Sequence, residues 1–280
     1  MSPTTQYWLC LDIGNTHTVA GLFPALYSDH HVSNPIARLR FRTDAHTTSD
    51  EYFSHLTQIF NNYLKNNLKT EFIWHQIERA IVSSVVPQLD CTIEKALQIV
   101  NPHIPCLFVN TNTKREFELD LPYPEQLGAD RLANVQGALS LAKPPFLIID
   151  AGTATTFCLI DKRPAYVGGA IAPGLEISWK ALQMRASKLF SVELLRPSSS
   201  IGNTTETQLQ SGVLMSHEAM LEGMTNLLLE DWKKLSPHSF KIPTFFATGG
   251  CMHLLKLSEK FHIEPDLTLR GLCRYGILTQ

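Results

Sequence analysis

The chain has 280 residues, of which 44% are hydrophobic and 18% charged, a composition typical of a globular protein with one large core or two ordinary ones. A net charge of −2 and scattered Lys and Arg residues exclude an electrostatic footprint for nucleic acid or for a membrane surface. No apolar run approaches the roughly 18 residues of a spanning helix, and the N-terminus does not resemble a signal peptide. We therefore expect a cytoplasmic protein that binds neither nucleic acid nor membrane, with its six cysteines reduced.

The first half of the chain predicts a mixed sheet with helices. Two apolar stretches, 7–13 and 18–26, are joined by a short polar turn. The elements predicted after them are strands at 36–43, 79–87 and 106–110 and helices at 49–65 and 91–100. Strands that come first and then alternate with helices indicate the α/β class.

The first polar turn allows two interpretations. In LCLDIGNTHTVAGLF, residues 9–23, a buried strand ends on Asp12 and is followed by Gly14, Asn15 and Thr16. These residue types form hairpin turns. An acid at a strand tip, followed by backbone amides and small hydroxyls, could also hold a metal-bound phosphate. The pattern Asp-x-Gly-Asn alone does not separate the two.

The same pattern recurs about half a chain later. FLIIDAGTATTFCLID, residues 146–161, places Asp150 where the first copy has Asp12. Farther on, FFATGG (245–250) resembles IVSSVV (81–86) as a strand that ends in small residues. We therefore predict two similar domains, 1–112 and 113–280, whose strand-tip aspartates face a common cleft. Such a cleft suits phosphoryl transfer, which needs a divalent metal and fixed amides; the P-loop motif is absent.

A third motif precedes a predicted helix between the two halves. In LPYPEQLGADRLANVQGALSLA, residues 121–142, the sequence Gly-Ala-Asp-Arg stands at the helix start. A helix N-terminus favours an acid or an incoming anion. Asp130 could therefore serve chemistry, or it could cap the helix while Arg131 is a surface charge. A long helix at 206–234 is expected to pack in the core or against another subunit.

Taken together with GGAIAPG (168–174), IGNTT (201–205) and ATGG (247–250), these motifs resemble the type III pantothenate kinases. The resemblance extends from about Trp8 to Gly276. It implies the duplicated ribonuclease-H-like fold of the actin-like ATPases, with the active site between the domains. It also implies ATP-dependent phosphorylation of pantothenate to 4′-phosphopantothenate, the first step of coenzyme A biosynthesis. The implied cofactors are ATP, Mg²⁺ and K⁺ or NH₄⁺, and the implied assembly is a homodimer.

The resemblance also implies roles for individual residues. Asp12 would orient ATP and its magnesium, and Asp150 would bind the monovalent cation. Asp130 would be the general base on the pantothenate hydroxyl. The residues matched to phosphate and nucleotide contacts are Gly14, Asn15, Thr16, Thr153, Gly249 and Gly250. The residues matched to substrate contacts are Tyr123, Gly128, Arg131 and Thr205.

Two positions depart from the family pattern. Leu121 stands where many members carry a substrate-contacting tyrosine, three residues before Pro124, and Tyr123 is the candidate for that role. Thr204 replaces an asparagine of the family, while Thr205 aligns with the threonine that contacts substrate from the neighbouring subunit. Neither departure removes an acid that the chemistry needs.

Two other classes of protein share part of this pattern. Another phosphotransferase, or a polyphosphate or nucleotide phosphatase, would share the phosphate motifs but not the Gly-Ala-Asp-Arg helix start. A regulatory protein that binds nucleotide without turnover would be expected to lack one of the acids. Asp12, Asp130 and Asp150 are all present, which favours the kinase.

Overall fold

A computed structural model of the chain describes residues 6–25, 32–69, 74–99, 101–185, 192–237 and 240–280. The chain divides into two compact units. The first unit comprises 1–116, 122–142 and 266–280, and the second comprises 117–121 and 143–265. Within the described ranges, no helix has both the length and the apolar character needed to cross a membrane.

The first unit is built on a five-stranded sheet with the order β3-β2-β1-β4-β5. Its strands are β1 (Tyr7–Ile13), β2 (His17–Pro24), β3 (Ala37–Arg42), β4 (Ile77–Ser84) and β5 (Cys106–Phe108). Its helices are α1 (Ser49–Asn67), α2 (Pro87–Gln98), α3 (Ala129–Leu141) and α6 (Leu267–Leu278). β2 pairs antiparallel with β1, whereas β4 pairs parallel with it. The carboxyl ends of β1 and β4 therefore lie at one edge of the sheet.

Helices cover both faces of this sheet. Leu9, Leu11 and Ile13 of β1 join the core formed with α1 and α2. On the opposite face, Trp8 lies against Gly276 of α6. α3 packs in turn on α6 at Gly137, where an added Cβ would overlap the carbonyl oxygen of Leu267. α3 thus sits in backbone contact with α6.

This packing gives the units different boundaries from the sequence-based division at residue 112. α6 comes last in the chain, yet it packs on β1, β2 and β4 of the first sheet. α3 also belongs to the first unit, because it packs on α6. Among the predicted bounds that shift, β4 ends at Ser84 and α2 begins at Pro87, since proline is favoured in the first turn of a helix and cannot continue a strand ladder.

The second unit is built on a six-stranded sheet with the order β11-β10-β7-β8-β9-β6. Its strands are β6 (Glu118–Leu119), β7 (Phe146–Ala151), β8 (Ala154–Ile160), β9 (Ala165–Pro173), β10 (Thr244–Thr248) and β11 (Phe261–Ile263). Its helices are α4 (Leu175–Arg185) and α5 (Thr205–Leu235). Both contribute to a core with one face of β7, β8 and β10.

The two sheets repeat one topology. In the second sheet, β8 pairs antiparallel and β10 pairs parallel with β7, as β2 and β4 do with β1. The order β9-β8-β7-β10-β11 thus corresponds to β3-β2-β1-β4-β5. The predicted duplicated α/β fold is confirmed, including the correspondence between the FFATGG and IVSSVV strands.

Candidate active site

The first polar turn is a tight hairpin at the carboxyl end of β1. The amide of Gly14 donates a hydrogen bond to the carbonyl oxygen of His17 over 3.1 Å, which closes a turn over Asn15 and Thr16. The Thr16 carbonyl accepts a hydrogen bond from the amide of Thr43 over 3.0 Å. Asp12 and Thr16 are half-buried and Asn15 is exposed. β1 and β2 thus form a hairpin, which leaves the carboxylate of Asp12 at the edge of the sheet; the hairpin is compatible with a phosphate site.

The start of α3 lies beside this edge. The amide of Val85, just after β4, donates to the carbonyl oxygen of Ile13 over 3.0 Å. A Cβ built on Gly128 would lie 3.8 Å from Cγ1 of the same Val85. Val85 thus lies between the end of β1 and the start of α3.

Asp130 does not cap α3. The N-cap residue is Gly128, and Asp130 lies in the first turn, where its Oδ1 accepts a hydrogen bond from the amide of Arg131 over 2.8 Å. A Cβ on Gly128 would lie 2.5 Å from this Oδ1. Any larger residue at position 128 would therefore displace the carboxylate. Steric space for Asp130 thus explains why a glycine stands at this position of the motif.

The environment of Asp130 makes it a better proton acceptor than an exposed aspartate. Burial raises the pKa of its carboxyl above the ordinary value, because a charged carboxylate is poorly solvated there. The backbone amide and the charge of Arg131, and the backbone amide of Asp130 itself, oppose this rise without cancelling it. A raised carboxyl pKa is characteristic of general bases that act near neutral pH.

The second polar turn lies at the carboxyl end of β7. The amide of Gly152 donates to the carbonyl oxygen of Ala154 over 3.1 Å, so that Gly152 and Thr153 form the turn between β7 and β8. Asp150 and Thr153 are half-buried. Asp150 therefore occupies in its sheet the place that Asp12 occupies in the other.

The glycine pair after β10 is held against the same strand end. Gly249 has a φ of +108°, and a Cβ there would lie 2.5 Å from the carbonyl carbon of Ala151. A side chain at position 249 is thus excluded by both conformation and space. The amide of Cys251 donates to the Ala151 carbonyl oxygen over 3.1 Å. Gly249 and Gly250 are thereby fixed next to the residue that follows Asp150.

The remaining predicted substrate contacts lie on exposed segments. Tyr123 is 65% exposed, and its carbonyl oxygen accepts the amide of Gln126 over 3.2 Å in the turn that leads to α3. Thr205 is the exposed first residue of α5. Thr204, which departs from the family pattern, is the N-cap of that helix, where its hydroxyl accepts the amide of Thr207. The departure thus substitutes one good N-cap residue for another.

Sequence reasoning missed two hydroxyls beside the aspartates. Ser83 of β4 is paired with Asp12, and Thr156 of β8 is paired with Asp150. Both hydroxyl oxygens are buried and have no hydrogen-bond partner. In the sequence each stands next to a second hydroxyl residue, Ser84 or Thr155, and only the strand register shows what they face.

The geometry at Asp12 fits a magnesium–nucleotide complex. Mg²⁺ is commonly held by one or two carboxylates together with substrate phosphates rather than by an all-protein cage. The described ranges contain no cluster of three or more His, Cys, Asp or Glu that could hold a metal by itself. The hydroxyl of Ser83, which is paired with Asp12 across the strands, also has no hydrogen-bond partner and can donate a hydrogen bond.

Comparisons with known proteins agree with the motifs. The sequence model of a family described as type III pantothenate kinase matches residues 8–227. The type III pantothenate kinase of Brevibacillus brevis is 33% identical over 266 residues, which cover 94% of this chain and 96% of that protein. The enzyme of the same description from Bacillus cytotoxicus is 33% identical over 264 residues, covering 94% and 92%.

Similar solved structures are more distant. The ethanolamine utilization protein EutJ from Carboxydothermus hydrogenoformans has a TM-score of 0.49 and 10% identity, covering 99% of this chain and 91% of that one. The activator of 2-hydroxyisocaproyl-CoA dehydratase from Clostridium difficile, with bound ADPNP, has a TM-score of 0.47 and 10% identity, covering 97% and 93%.

Proposed function

The chain belongs to the type III pantothenate kinase family, and from that membership we propose that Asp12, Asp130 and Asp150 carry its reaction. The activity is the phosphorylation of pantothenate in coenzyme A biosynthesis. The observation that most supports the assignment of residues is at Asp130. Its carboxyl has a raised pKa and stands in space that Gly128 leaves open.

Asp130 accepts the proton of the pantothenate hydroxyl as its oxygen bonds to the γ-phosphorus of ATP and the bond from that phosphorus to ADP breaks. An alcohol has a pKa far above 7, so a carboxylate takes this proton late in the reaction. Phosphoryl transfer has a loose transition state in which the position of the hydroxyl matters more than the strength of the base. Arg131 offers a planar guanidinium that binds a carboxylate or phosphate in a bidentate manner.

Asp12 and its hairpin hold the nucleotide phosphates. Asp12 would hold Mg²⁺ together with phosphate oxygens, and the metal would neutralise the charge that develops on them. Asn15 and Thr16 offer backbone amides and a hydroxyl at the same strand end, whereas the amide of Gly14 closes the turn onto His17. Gly249 and Gly250 leave room for the nucleotide to approach the backbone. Tyr123 completes the proposed set of substrate contacts.

Asp150 and Thr153 hold a monovalent cation and phosphate in the proposed mechanism. We expect higher rates in K⁺ or NH₄⁺ than in Na⁺, and we expect Asp150→Ala to lose at least about tenfold in affinity for the cation. Initial rates in matched chloride buffers measure the dependence of the rate on the cation. The thermal midpoint in KCl, compared with that in NaCl, measures the affinity for the cation. Asp231→Ala, which removes an exposed carboxylate of α5, is the control. Equal rates in all three salts would contradict the cation assignment.

A homodimer is also part of the proposal, with Thr205 reaching the substrate of the partner subunit. Its support is the exposed apolar side chains of α4, of which Ile177 and Met184, seven residues apart, lie on one face of the helix. Exposed apolar patches of this kind mark interaction sites.

A cytoplasmic location is proposed from membership in the family.

Sedimentation equilibrium tests this dimer. The wild-type protein is expected to be dimeric, and Met184→Glu to raise the dimer dissociation constant about tenfold or more, because a charge would replace a 79% exposed apolar side chain at the interface. Ile99→Glu, at an exposed site in the first unit, should leave the dimer intact. A monomeric wild-type protein at micromolar concentration would rule out the proposed role of Thr205.

The activity itself is tested by ADP release coupled to a spectroscopic assay. Release of ADP should require pantothenate, and mass spectrometry should detect 4′-phosphopantothenate. ATP hydrolysis without pantothenate would indicate a phosphatase instead. ATP binding without turnover in either condition would indicate a regulatory nucleotide-binding protein.

A further inference from the structure

Each strand-tip aspartate faces a buried hydroxyl that has no partner. Asp12 and Ser83 are paired across β1 and β4, and Asp150 and Thr156 are paired across β7 and β8. In the described part of the chain, these two are the only serine or threonine hydroxyls that are buried and unpartnered. The same arrangement thus occurs in both units, although the hydroxyl comes from a different neighbouring strand in each.

Neighbouring hydroxyls at the same strand ends are satisfied. The hydroxyl of Ser84 donates to Oδ1 of Asp90 over 2.5 Å and accepts the amide of Val86 over 3.2 Å. The hydroxyl of Thr155 is hydrogen-bonded to Nε2 of His217 over 3.1 Å. A buried polar group without a partner is costly to the folded state. Its occurrence opposite both aspartates therefore calls for a physical reason.

Ser83 lies next to Asp12 in the sheet. Paired residues of adjacent strands point to the same face of a sheet, and the strands lie about 4.8 Å apart. Ser83 is fully buried, with 0% of its surface exposed, so its hydroxyl does not reach a bound ligand directly. The hydroxyl of Ser83 and the carboxylate of Asp12 are therefore neighbours on one face of the sheet.

We propose that Ser83 is a positioning residue whose hydroxyl donates a hydrogen bond to the carboxylate of Asp12 when the protein binds Mg²⁺ and ATP. The bond fixes the orientation in which Asp12 meets the metal. The inference rests on the proposed nucleotide role of Asp12. It explains why a buried hydroxyl without a partner in the ligand-free protein stands next to Asp12.

The thermal midpoint of Ser83→Ala, with and without MgATP, tests the proposal. Without ligand the midpoint should equal or exceed that of wild type, because no hydrogen bond is lost. Affinity for MgATP, from calorimetry without pantothenate, should fall about tenfold, the effect of one hydrogen bond to a charged group. Ser84→Ala is the matched control: it should lower the ligand-free midpoint and leave affinity unchanged. A ligand-free midpoint of Ser83→Ala as low as that of Ser84→Ala would overturn the proposal.

Asp12→Asn and the double variant Asp12→Asn/Ser83→Ala separate this inference from the role of Asp12. Wild-type affinity in Asp12→Asn would refute the proposed nucleotide role itself. If Asp12→Asn binds weakly, Ser83→Ala should add nothing to that loss in the double variant. Wild-type affinity of Ser83→Ala alone, or a further loss in the double variant, would overturn the positioning role while leaving Asp12 in place.

Discussion

Asp130→Asn is expected to lower the turnover of pantothenate by about 10²–10⁴-fold, the typical contribution of a general base. Asparagine has nearly the same volume and can still accept the amide of Arg131, as Oδ1 of Asp130 does, but it cannot take the substrate proton. Single-turnover and steady-state rates measure the loss, and affinity for MgATP should stay near that of wild type.

Stability distinguishes this catalytic role from a structural one. Burial raises the folded-state pKa of Asp130, so the folded protein binds the proton more tightly than the unfolded chain. The ionised carboxylate is therefore destabilising at neutral pH, and stability falls as the pH rises through the folded-state pKa. Asp130→Asn should accordingly leave the thermal midpoint at pH 7 unchanged or raise it.

The pH dependence of kcat/KM gives a further signature of Asp130. Activity should decline as the pH falls through its pKa, and this acidic limb should lie above the ordinary aspartate value of about 3.9. Asp50→Asn removes an exposed carboxylate from the first turn of α1 and is the matched control for charge at a helix start. Near-normal turnover of Asp130→Asn would contradict the base assignment.

The sequence was sufficient to predict the two repeated strand ends, and for a physical reason. Asp12 and Asp150 each follow an unbroken apolar run and precede a glycine, a local pattern that a buried strand and its turn produce without help from distant residues. The predicted strand 7–13 agrees with β1 in both bounds. The glycine of Gly-Ala-Asp-Arg was likewise identified, although its steric contact with Oδ1 of Asp130 is visible only in three dimensions.

Features that depend on distant packing were not predicted. Nothing local shows that α6, at the end of the chain, packs on the first sheet, since its apolar residues would suit either core. α4 was missed because Ile177, Leu182 and Met184 are apolar but exposed. Its apolar residues therefore do not follow the spacing of a single buried helix face. The relation of Ser83 to Asp12 depends on the register of β1 and β4, which a long crossover separates in sequence.

Asp12→Asn is expected to lose at least about 100-fold in kcat/KM, the scale on which a preorganised electrostatic contact to a developing charge contributes. The substitution removes one negative charge and preserves volume, so the hairpin closed by Gly14 and His17 should persist. The loss should appear as weaker MgATP binding and as a shift of the magnesium dependence to higher concentration, because the remaining ligands of the metal are phosphate oxygens and water.

Magnesium titrations at fixed ATP, together with calorimetry and the thermal midpoint, separate this effect from misfolding. The ligand-free midpoint should stay close to that of wild type, whereas the rise on adding MgATP should largely disappear, since a ligand stabilises a protein only in proportion to its affinity. Asp50→Asn should retain the full rise. Normal turnover of Asp12→Asn at ordinary magnesium concentration would mean that the strand-tip carboxylate does not meet the metal, and the hairpin would then serve the fold alone.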